Sequence, residues 1–264
     1  MSILEAIILG IIQGLTEFIP ISSSGHLVIA QNFMSGASQH LFLEWINIGT
    51  VLALIIFFRY RIWQAILDIF KGKDYRLARN VIIAMLPAGL VGFVLADFIE
   101  TNPFFGSVWT VVVTLAVVGV LLVVLEKLPK RSKVADSSQL PASRALTIGL
   151  VQVLALIPGT SRSGSTIIAG RLMGLSRSNA AEFSFLVSIP IMLGVILKLL
   201  ISTDDRAYMI QNAGALFVGN LTALISGLLA VGFLMRFLEK HSLAGFGWYR
   251  VALAGVLAVI LLLQ

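Results

Sequence analysis

The sequence predicts an all-α integral membrane protein of six transmembrane helices plus two re-entrant helix pairs, arranged as inverted-topology repeats. Three observations carry this. The first is composition. Of 264 residues, 58% are hydrophobic and 12% charged, with a mean hydropathy of +0.98. A soluble domain carries about a quarter charged residues, so the solvent of this chain is lipid. The second is the recurrence of apolar runs long enough to span a bilayer. The third is a duplicated polar stretch. Gln13-Gly14-Leu15-Thr16-Glu17-Phe18-Ile19-Pro20-Ile21-Ser22-Ser23-Ser24-Gly25-His26 is echoed by Gln152-Val153-Leu154-Ala155-Leu156-Ile157-Pro158-Gly159-Thr160-Ser161-Arg162-Ser163-Gly164-Ser165-Thr166. An ungapped shift of 139 residues lays Ala6 on Ala145, Gly10 on Gly149, Gln13 on Gln152 and Leu15 on Leu154. The same shift lays Ser22 on Ser161, Ser24 on Ser163 and Gly25 on Gly164. Each copy is an apolar run broken by a proline and a Ser-Gly turn. The two copies are expected to meet in one site.

Residues 3–18 are apolar with Glu5, Gln13 and Glu17 embedded. The run is short of the roughly 20 residues a span needs. Pro20 and the serines break it, and a second apolar piece follows at 26–34. Two short helices around a polar break read as a re-entrant pair, 3–34. Irregular backbone at membrane depth persists only when buried in protein or lining a wet cavity. Spans are expected at about 41–58, 77–96 and 107–125. A polar, basic linker at 127–143, with Pro129 and Pro141, is the one boundary. A second re-entrant pair follows at 144–174, as pieces 144–157 and 164–174, and then spans at about 179–200, 213–235 and 246–263. The first repeat is thus 1–126 and the second 144–264, within one membrane domain. No cleavable leader is expected, because the first apolar run contains Glu5 and lacks a basic n-region.

The net charge of +6 does not point to nucleic acid. Membrane proteins collect Lys and Arg on the cytoplasmic side. Arg59, Arg61, Lys71, Lys73, Arg76 and Arg79 share one loop, and Lys127, Lys130, Arg131, Lys133 and Arg144 share another. Arg236, Lys240 and Arg250 flank a third, and Arg171 and Arg177 close the second re-entrant pair. The positive-inside rule makes all of these cytoplasmic. The loops holding Asp97 with Glu100, and Asp204 with Asp205, then face outward. Three spans separate equivalent points of the repeats, and an odd number inverts the second copy. The first pair enters from outside and the second from inside. With no cysteine there is neither a disulfide nor a Cys-ligated metal.

Ionisable residues at membrane depth are costly and are functional hypotheses by default. Glu17 is the clearest. Its plain alternative is a solvated or paired carboxylate near the surface, but Ser22, Ser23, Ser24 and His26 follow it closely. Arg162 stands between serines, after Pro158-Gly159 and before Gly164. A guanidinium recognises phosphate bidentately, and the free N–H groups opening the next helix would add donors. Its alternative is an Arg snorkelling to the interface. His26 has the ordinary pKa of a general acid or base. A lone His is usually structural, but this one sits beside a carboxylate and serines. His40 and His241 are given no role. One serine is a candidate nucleophile; the others bind phosphate or satisfy backbone at helix breaks. Glu44 and Glu182 are second-tier, the latter within reach of Arg171 or Arg177. Gly89, Gly92, Gly219 and Gly227 read as close-packing positions, and Trp45, Trp63, Trp109 and Trp248 as an aromatic belt.

The stretch Gln13 to His26 closely resembles the first signature of the undecaprenyl-diphosphate phosphatases of the bacitracin-resistance (BacA/UppP) family. Pro158-Gly159-Thr160-Ser161-Arg162-Ser163-Gly164-Ser165-Thr166 resembles the second, and Glu182-Phe183-Ser184-Phe185-Leu186 with Pro190 looks like a further family segment. The resemblance implies removal of the terminal phosphate of undecaprenyl (polyprenyl) diphosphate. That recycles the lipid carrier for cell-wall synthesis and confers bacitracin resistance. It implies a bacterial inner-membrane protein, six spans, two re-entrant pairs, often a homodimer, and a site open to the outer side. It also implies a divalent cation, Mg or Ca, and no organic cofactor. Carried over residue by residue, Glu17 is the metal-binding or proton-transferring acid, Ser23 the nucleophile, and His26 the acid/base. Arg162 clamps the diphosphate, with Gln13, Ser22, Ser24, Ser161, Ser163 and Thr166 binding substrate beside it. The sequence departs from the family in three places. Gln13 stands where Glu or Gln is usual and leaves one carboxylate fewer for a cation. Ser24 replaces Thr, and Asn47-Ile48-Gly49 replaces Gln-Leu-Gly.

The chemistry implied is attack on the terminal phosphorus by Ser23 or by an activated water, with Arg162 and a cation neutralising phosphate oxygens. The rival reading is a lipid-phosphate flippase or transporter without hydrolysis, which inverted repeats also suit. A nucleophile–base set is superfluous to it. A purely structural membrane protein leaves Glu17 and Arg162 unexplained.

Overall fold

The computed structural model describes residues 1–32, 40–128 and 134–263. Residues 33–34 of the second apolar piece, and Pro129, Lys130, Arg131 and Lys133 of the linker, lie outside the described residues. The described residues are helical and form no strand; one isolated bridge joins Val134 to Leu175. Among the described residues six helical segments are long and apolar enough to cross a membrane: His40–Phe57, Arg76–Val94, Val108–Lys127, Arg177–Ile201, Ala213–Lys240 and Ala244–Leu262. These are the six expected, each within a few residues except Ala213–Lys240, which runs on through Arg236 and Glu239.

Two short pairs accompany them. The first is α1 (Ile3–Phe18) and α2 (Ser23–Asn32). After it come α3 (His40–Trp45) and α4 (Asn47–Phe57), which together make the first span, then α5 (Arg59–Phe70) and α6 (Arg76–Val94). The short α7 (Ala96–Thr101) and α8 (Pro103–Gly106) lead into α9 (Val108–Lys127). The second pair is α10 (Ala142–Gln152), extended by a 3-10 turn Val153–Leu156, and α11 (Arg162–Leu172). Then follow α12 (Arg177–Ile201), α13 (Thr203–Gln211), α14 (Ala213–Lys240) and α15 (Ala244–Leu262). The shift of 139 residues that aligns the two motifs also carries α1 onto α10 and its 3-10 turn, α2 onto α11 and α9 onto α15 within a few residues, and α6 onto the N-terminal part of the longer α14.

Packing follows the same exchange: α1 lies on α14, α10 on α6, and α9 on α15. Lipid tails supply no hydrophobic drive between helices, so close backbone contact must do the work. Small residues allow it. A Cβ on Gly14 would stand 2.5 Å from Ala223 O, and one on Gly149 2.5 Å from Ala84 O; a Cβ on Gly10 would overlap Gly219 O. Gly219 and Gly227 pack as expected against Phe42 and Ala53. Gly89 does not, for nothing lies near its open face. Trp45 also departs from expectation. It is 1% exposed in the core, while Trp63, Trp109 and Trp248 are exposed as an interfacial belt requires.

Ion pairs tie the basic end together. Arg61 donates to both carboxylate oxygens of Asp136 at 2.7 Å and to Glu182 Oε1 at 3.0 Å. Arg177 pairs with Glu126, which also accepts from the Leu243 N–H at 3.2 Å. Glu182 therefore takes Arg61 from the sequence-distant helix α5, not the sequence-near Arg171 or Arg177. The tertiary approach of α5 to α12 decides this.

Candidate active site

Both motif loops turn on a strained serine. Ser22 (φ 76°) and Ser161 (φ 71°) are, among the described residues, the only non-glycine residues with positive φ, and they are equivalent under the 139-residue shift. Such backbone costs about 1–3 kcal/mol and clusters at functional sites. Each serine then caps the helix it opens. Ser22 Oγ accepts from the Gly25 N–H at 3.3 Å, and Ser161 Oγ from the Gly164 N–H at 3.2 Å. Each hydroxyl also bonds the serine two residues on, Ser24 and Ser163, at 3.2 Å. The Gly164 N–H expected to serve an anion is thus already taken by Ser161.

The loops meet. The Gly159 N–H donates to Ser24 Oγ at 3.3 Å, and Ser163 Oγ donates to Glu17 O at 3.4 Å. Between them runs a chain of charge-assisted bonds. Ser23 Oγ donates to Glu17 Oε2 at 2.7 Å, and Arg162 Nη2 donates to Glu17 Oε1 at 2.5 Å. Gln13 Nε2 donates to Glu17 Oε2 at 3.2 Å and to Asn47 Oδ1 at 2.5 Å. Glu17 ends α1 and Arg162 opens α11, so each charge sits at the unfavourable pole of its own helix dipole. Their pairing offsets both costs. Arg162 Nη2 also touches Met192 Sδ at 3.3 Å, while Nη1 is buried with no partner. The carbonyl oxygen of Gln13 is likewise a buried acceptor without a donor.

This chain of bonds forms the floor of a cavity of about 660 Å³. Gln13, Glu17, Ser23, Ser24 and Arg162 line it, with Asn47, Glu44 and His40 from the first span. Its apolar wall comes from Leu27, Val111, Ile191 and Val195. The structure thus brings Glu17, Ser23, Arg162, Gln13 and Ser24 together. It does not bring the other five expected site residues to the cavity wall. Ser22 and Ser161 are spent on caps, and Ser163 is 1% exposed beneath them. Thr166 is buried and bonds Ser184 and the Arg162 carbonyl. His26 turns away. Its Nδ1 meets Ser22 O at 2.7 Å and its Nε2 meets Tyr249 Oη at 2.7 Å, with the two rings stacked. Among the described residues no hydrogen bond joins it to Glu17 or Ser23.

Sequence reasoning missed two residues here. Asn47 shows in the sequence only as a departure from the family pattern, and it holds Gln13. Arg250 was read as a cytoplasmic loop cation. It is instead 0% exposed inside α15 and donates to Thr114 O, Leu115 O, Pro20 O, Gly159 O and Thr160 O. The signal was present: a cation within an apolar span is a functional hypothesis in its own right.

Among the described residues no three His, Cys, Asp or Glu cluster to form a metal cage. The oxygen donors lining the cavity include the carboxylates of Glu17 and Glu44 and the unpaired side-chain carbonyl of Gln13. All are hard oxygen ligands. They fit a magnesium-like ion that takes its remaining ligands from phosphate and water.

Comparison with known proteins completes the picture. The family model described as "Bacitracin resistance protein BacA" matches residues 6–256. "Undecaprenyl-diphosphatase 2" of Paramagnetospirillum magneticum is 36% identical over 99% of this chain and 100% of its own length. "Undecaprenyl-diphosphatase" of Rubrobacter xylanophilus is 38% identical over 100% of both. "Undecaprenyl-diphosphatase 1" of Clostridioides difficile is 42% identical over 96% of this chain and 94% of its own. With its two motif loops joined at one cavity and a match running from residue 6 to residue 256, the chain belongs to the bacitracin resistance protein BacA family.

Proposed function

We infer that the protein hydrolyses undecaprenyl diphosphate to the monophosphate and inorganic phosphate, recycling the carrier lipid of cell-wall synthesis and so conferring resistance to bacitracin. One observation carries the reading. A nucleophile (Ser23), a base (Glu17) and an arginine (Arg162), drawn from both motifs, form one hydrogen-bonded chain at the floor of one cavity. A flippase needs the arginine but not the nucleophile–base contact.

The diphosphate enters the polar floor. Arg162 Nη1, the donor without a partner, takes the terminal phosphate while Nη2 stays on Glu17. Ser23 Oγ attacks the terminal phosphorus as its proton passes to Glu17. The bond from that phosphorus to the bridging oxygen breaks, and the proton leaves with the lipid monophosphate. Glu17 then draws a proton from water, which attacks the phosphoserine. Inorganic phosphate departs and the proton returns to Ser23. Glu17 and the Gln13 carbonyl would hold a divalent cation there, Mg or Ca, which supplies charge neutralisation on phosphate oxygens. A cavity of about 660 Å³ has the size of a small-molecule site. It takes the diphosphate and the start of the prenyl chain, and the remaining tail stays in lipid.

The finer architecture belongs to the same reading. The pairs α1–α2 and α10–α11 are re-entrant, and residues 1–126 and 144–264 are inverted repeats. Their shared offset and the matched strained serines support this. The cavity opens to the outer side of a bacterial inner membrane. Its wall uses His40, Phe105 and Val108, at the span ends opposite basic α5 and the linker. A homodimer is carried by the resemblance alone.

The test is phosphate release from a polyprenyl diphosphate by purified protein in detergent, for wild type, Ser23→Ala and Arg162→Ala, with and without EDTA. Release should fall at least about 100-fold in each variant and stop with EDTA. Denaturing gels after a short pulse of terminally labelled substrate should show label on wild type and none on Ser23→Ala. A well-folded wild type that releases no phosphate with any metal sinks the reading.

A further inference from the structure

Arg250 has no part in the chemistry above, yet its placement is expensive. A buried guanidinium costs several kcal/mol unless its donors are met. Among the described residues its hydrogen-bond partners are all backbone carbonyls. Two sit on α9: Thr114 O and Leu115 O, both at 3.3 Å. The other three lie in the motif loops. Nη1 bonds Pro20 O at 3.3 Å, and Nη2 bonds Gly159 O at 2.7 Å and Thr160 O at 3.1 Å. Pro20 and Gly159 are equivalent positions, 139 residues apart, each three residues before a reactive side chain, Ser23 and Arg162 respectively. One guanidinium thus grips the same point of both loops and anchors both to α9. The neighbouring residue adds a second hold, for Tyr249 Oη bonds His26 on α2. The second loop also has no slack. A Cβ on Gly159 would stand 2.8 Å from Val111 O, and Thr114 Oγ1 donates to Pro158 O at 2.7 Å.

We propose that Arg250 is a positioning residue, a single clamp that sets the first motif loop against the second and so holds Ser23 and Glu17 in register with Arg162. Its bearing on turnover rests on the phosphatase reading; the clamp itself does not. A guanidinium suits the task because its planar donors reach several carbonyls in fixed directions, which a lysine ammonium cannot copy.

The experiment compares wild type, Arg250→Lys and Arg250→Met in detergent. Turnover is measured beside spin-label distances. The chain has no cysteine, so labels at Ile21→Cys and Ile157→Cys report only the two loops. A control pair at Val120→Cys and Leu229→Cys, both exposed on spans, reports the bundle. In Arg250→Met, kcat should fall about 100-fold, the scale of a misplaced reacting group. KM should stay within about threefold, since Arg162 still meets the phosphate. The loop-to-loop distance should broaden while the control distance holds, with Arg250→Lys between the two. A narrow loop distance in both variants overturns the clamp, whatever the rate. So does broadening of the control pair alongside the loops, which marks a general structural role. Should Arg250→Met not fold, Arg250→Lys decides by the same two distances. Wild type without phosphate release would fail the phosphatase reading, and the loop distances would still judge the clamp.

Discussion

Glu17 has three donors on one carboxylate, and each does a different job. Arg162 compensates its charge, Ser23 offers it a proton, and Gln13 joins it to Asn47 on the first span. On the proposed mechanism, replacing it removes a base and leaves the part-buried Arg162 guanidinium without its charge partner. Glu17→Gln should therefore lower kcat at least about 100-fold, as loss of a general base does. His26 offers a contrast, since its ring is held between Ser22 O and Tyr249 and meets neither Glu17 nor Ser23. His26→Ala should slow turnover far less than Glu17→Gln does, by loosening α2. A loss in His26→Ala as large as that in Glu17→Gln would assign the proton transfer to the histidine.

At the scale of elements, the pairs α1–α14 and α10–α6 depend on backbone contact through glycine. Gly149→Ala should lower stability by about 1–3 kcal/mol, the usual cost of overpacking. Gly89→Ala should be neutral or slightly stabilising, because alanine is the better helix former and its Cβ meets nothing. Thermal unfolding in detergent separates the two. A second device joins the linker to α5. Burial pushes the Asp136 carboxyl up, but the Ser138 hydrogen bonds and the Arg61 guanidinium outweigh it and hold it below its ordinary value. A carboxylate depressed in the folded state stabilises fully above its unfolded pKa, about 3.9, and loses that contribution as pH falls through the folded value. The melting-point advantage of wild type over Asp136→Asn should therefore be constant above about pH 5 and shrink below about pH 4. Persistence of that advantage at pH 3 would remove the ion pair as its source.

On the scale of the molecule, a polar floor sits within an apolar bundle, and the proposed orientation opens it on the face away from the basic loops. The absence of native cysteine makes this direct to test. In intact cells, Gln31→Cys on the cavity wall should react with a membrane-impermeant maleimide, and Lys71→Cys beside α5 should not. Labelling only at position 71 would invert the protein in the membrane.

The sequence by itself determined the helical class, the six spans and the two motifs. Hydropathy over about 20 residues and an ungapped duplication are local properties that survive reading one residue at a time. It also singled out Glu17 and Arg162 as candidates, because charge in an apolar chain stands out without any neighbour, while the choice of Ser23 among the serines came from the family resemblance. Only the tertiary structure decided which candidates share the cavity. Ser161, Ser163 and Thr166 carry the same chemistry in the sequence as Ser23 and Ser24, yet helix capping and packing consume them. His26 faces Tyr249, 223 residues away, and Glu182 takes Arg61, 121 residues away. Arg250 was counted with the loops because its number lies near a span end. Its depth, and the two loops it grips, follow from how α15 packs on α9. Hydrogen-bond partners are chosen by proximity in space, and in this chain the reactive residues come from loops 139 positions apart.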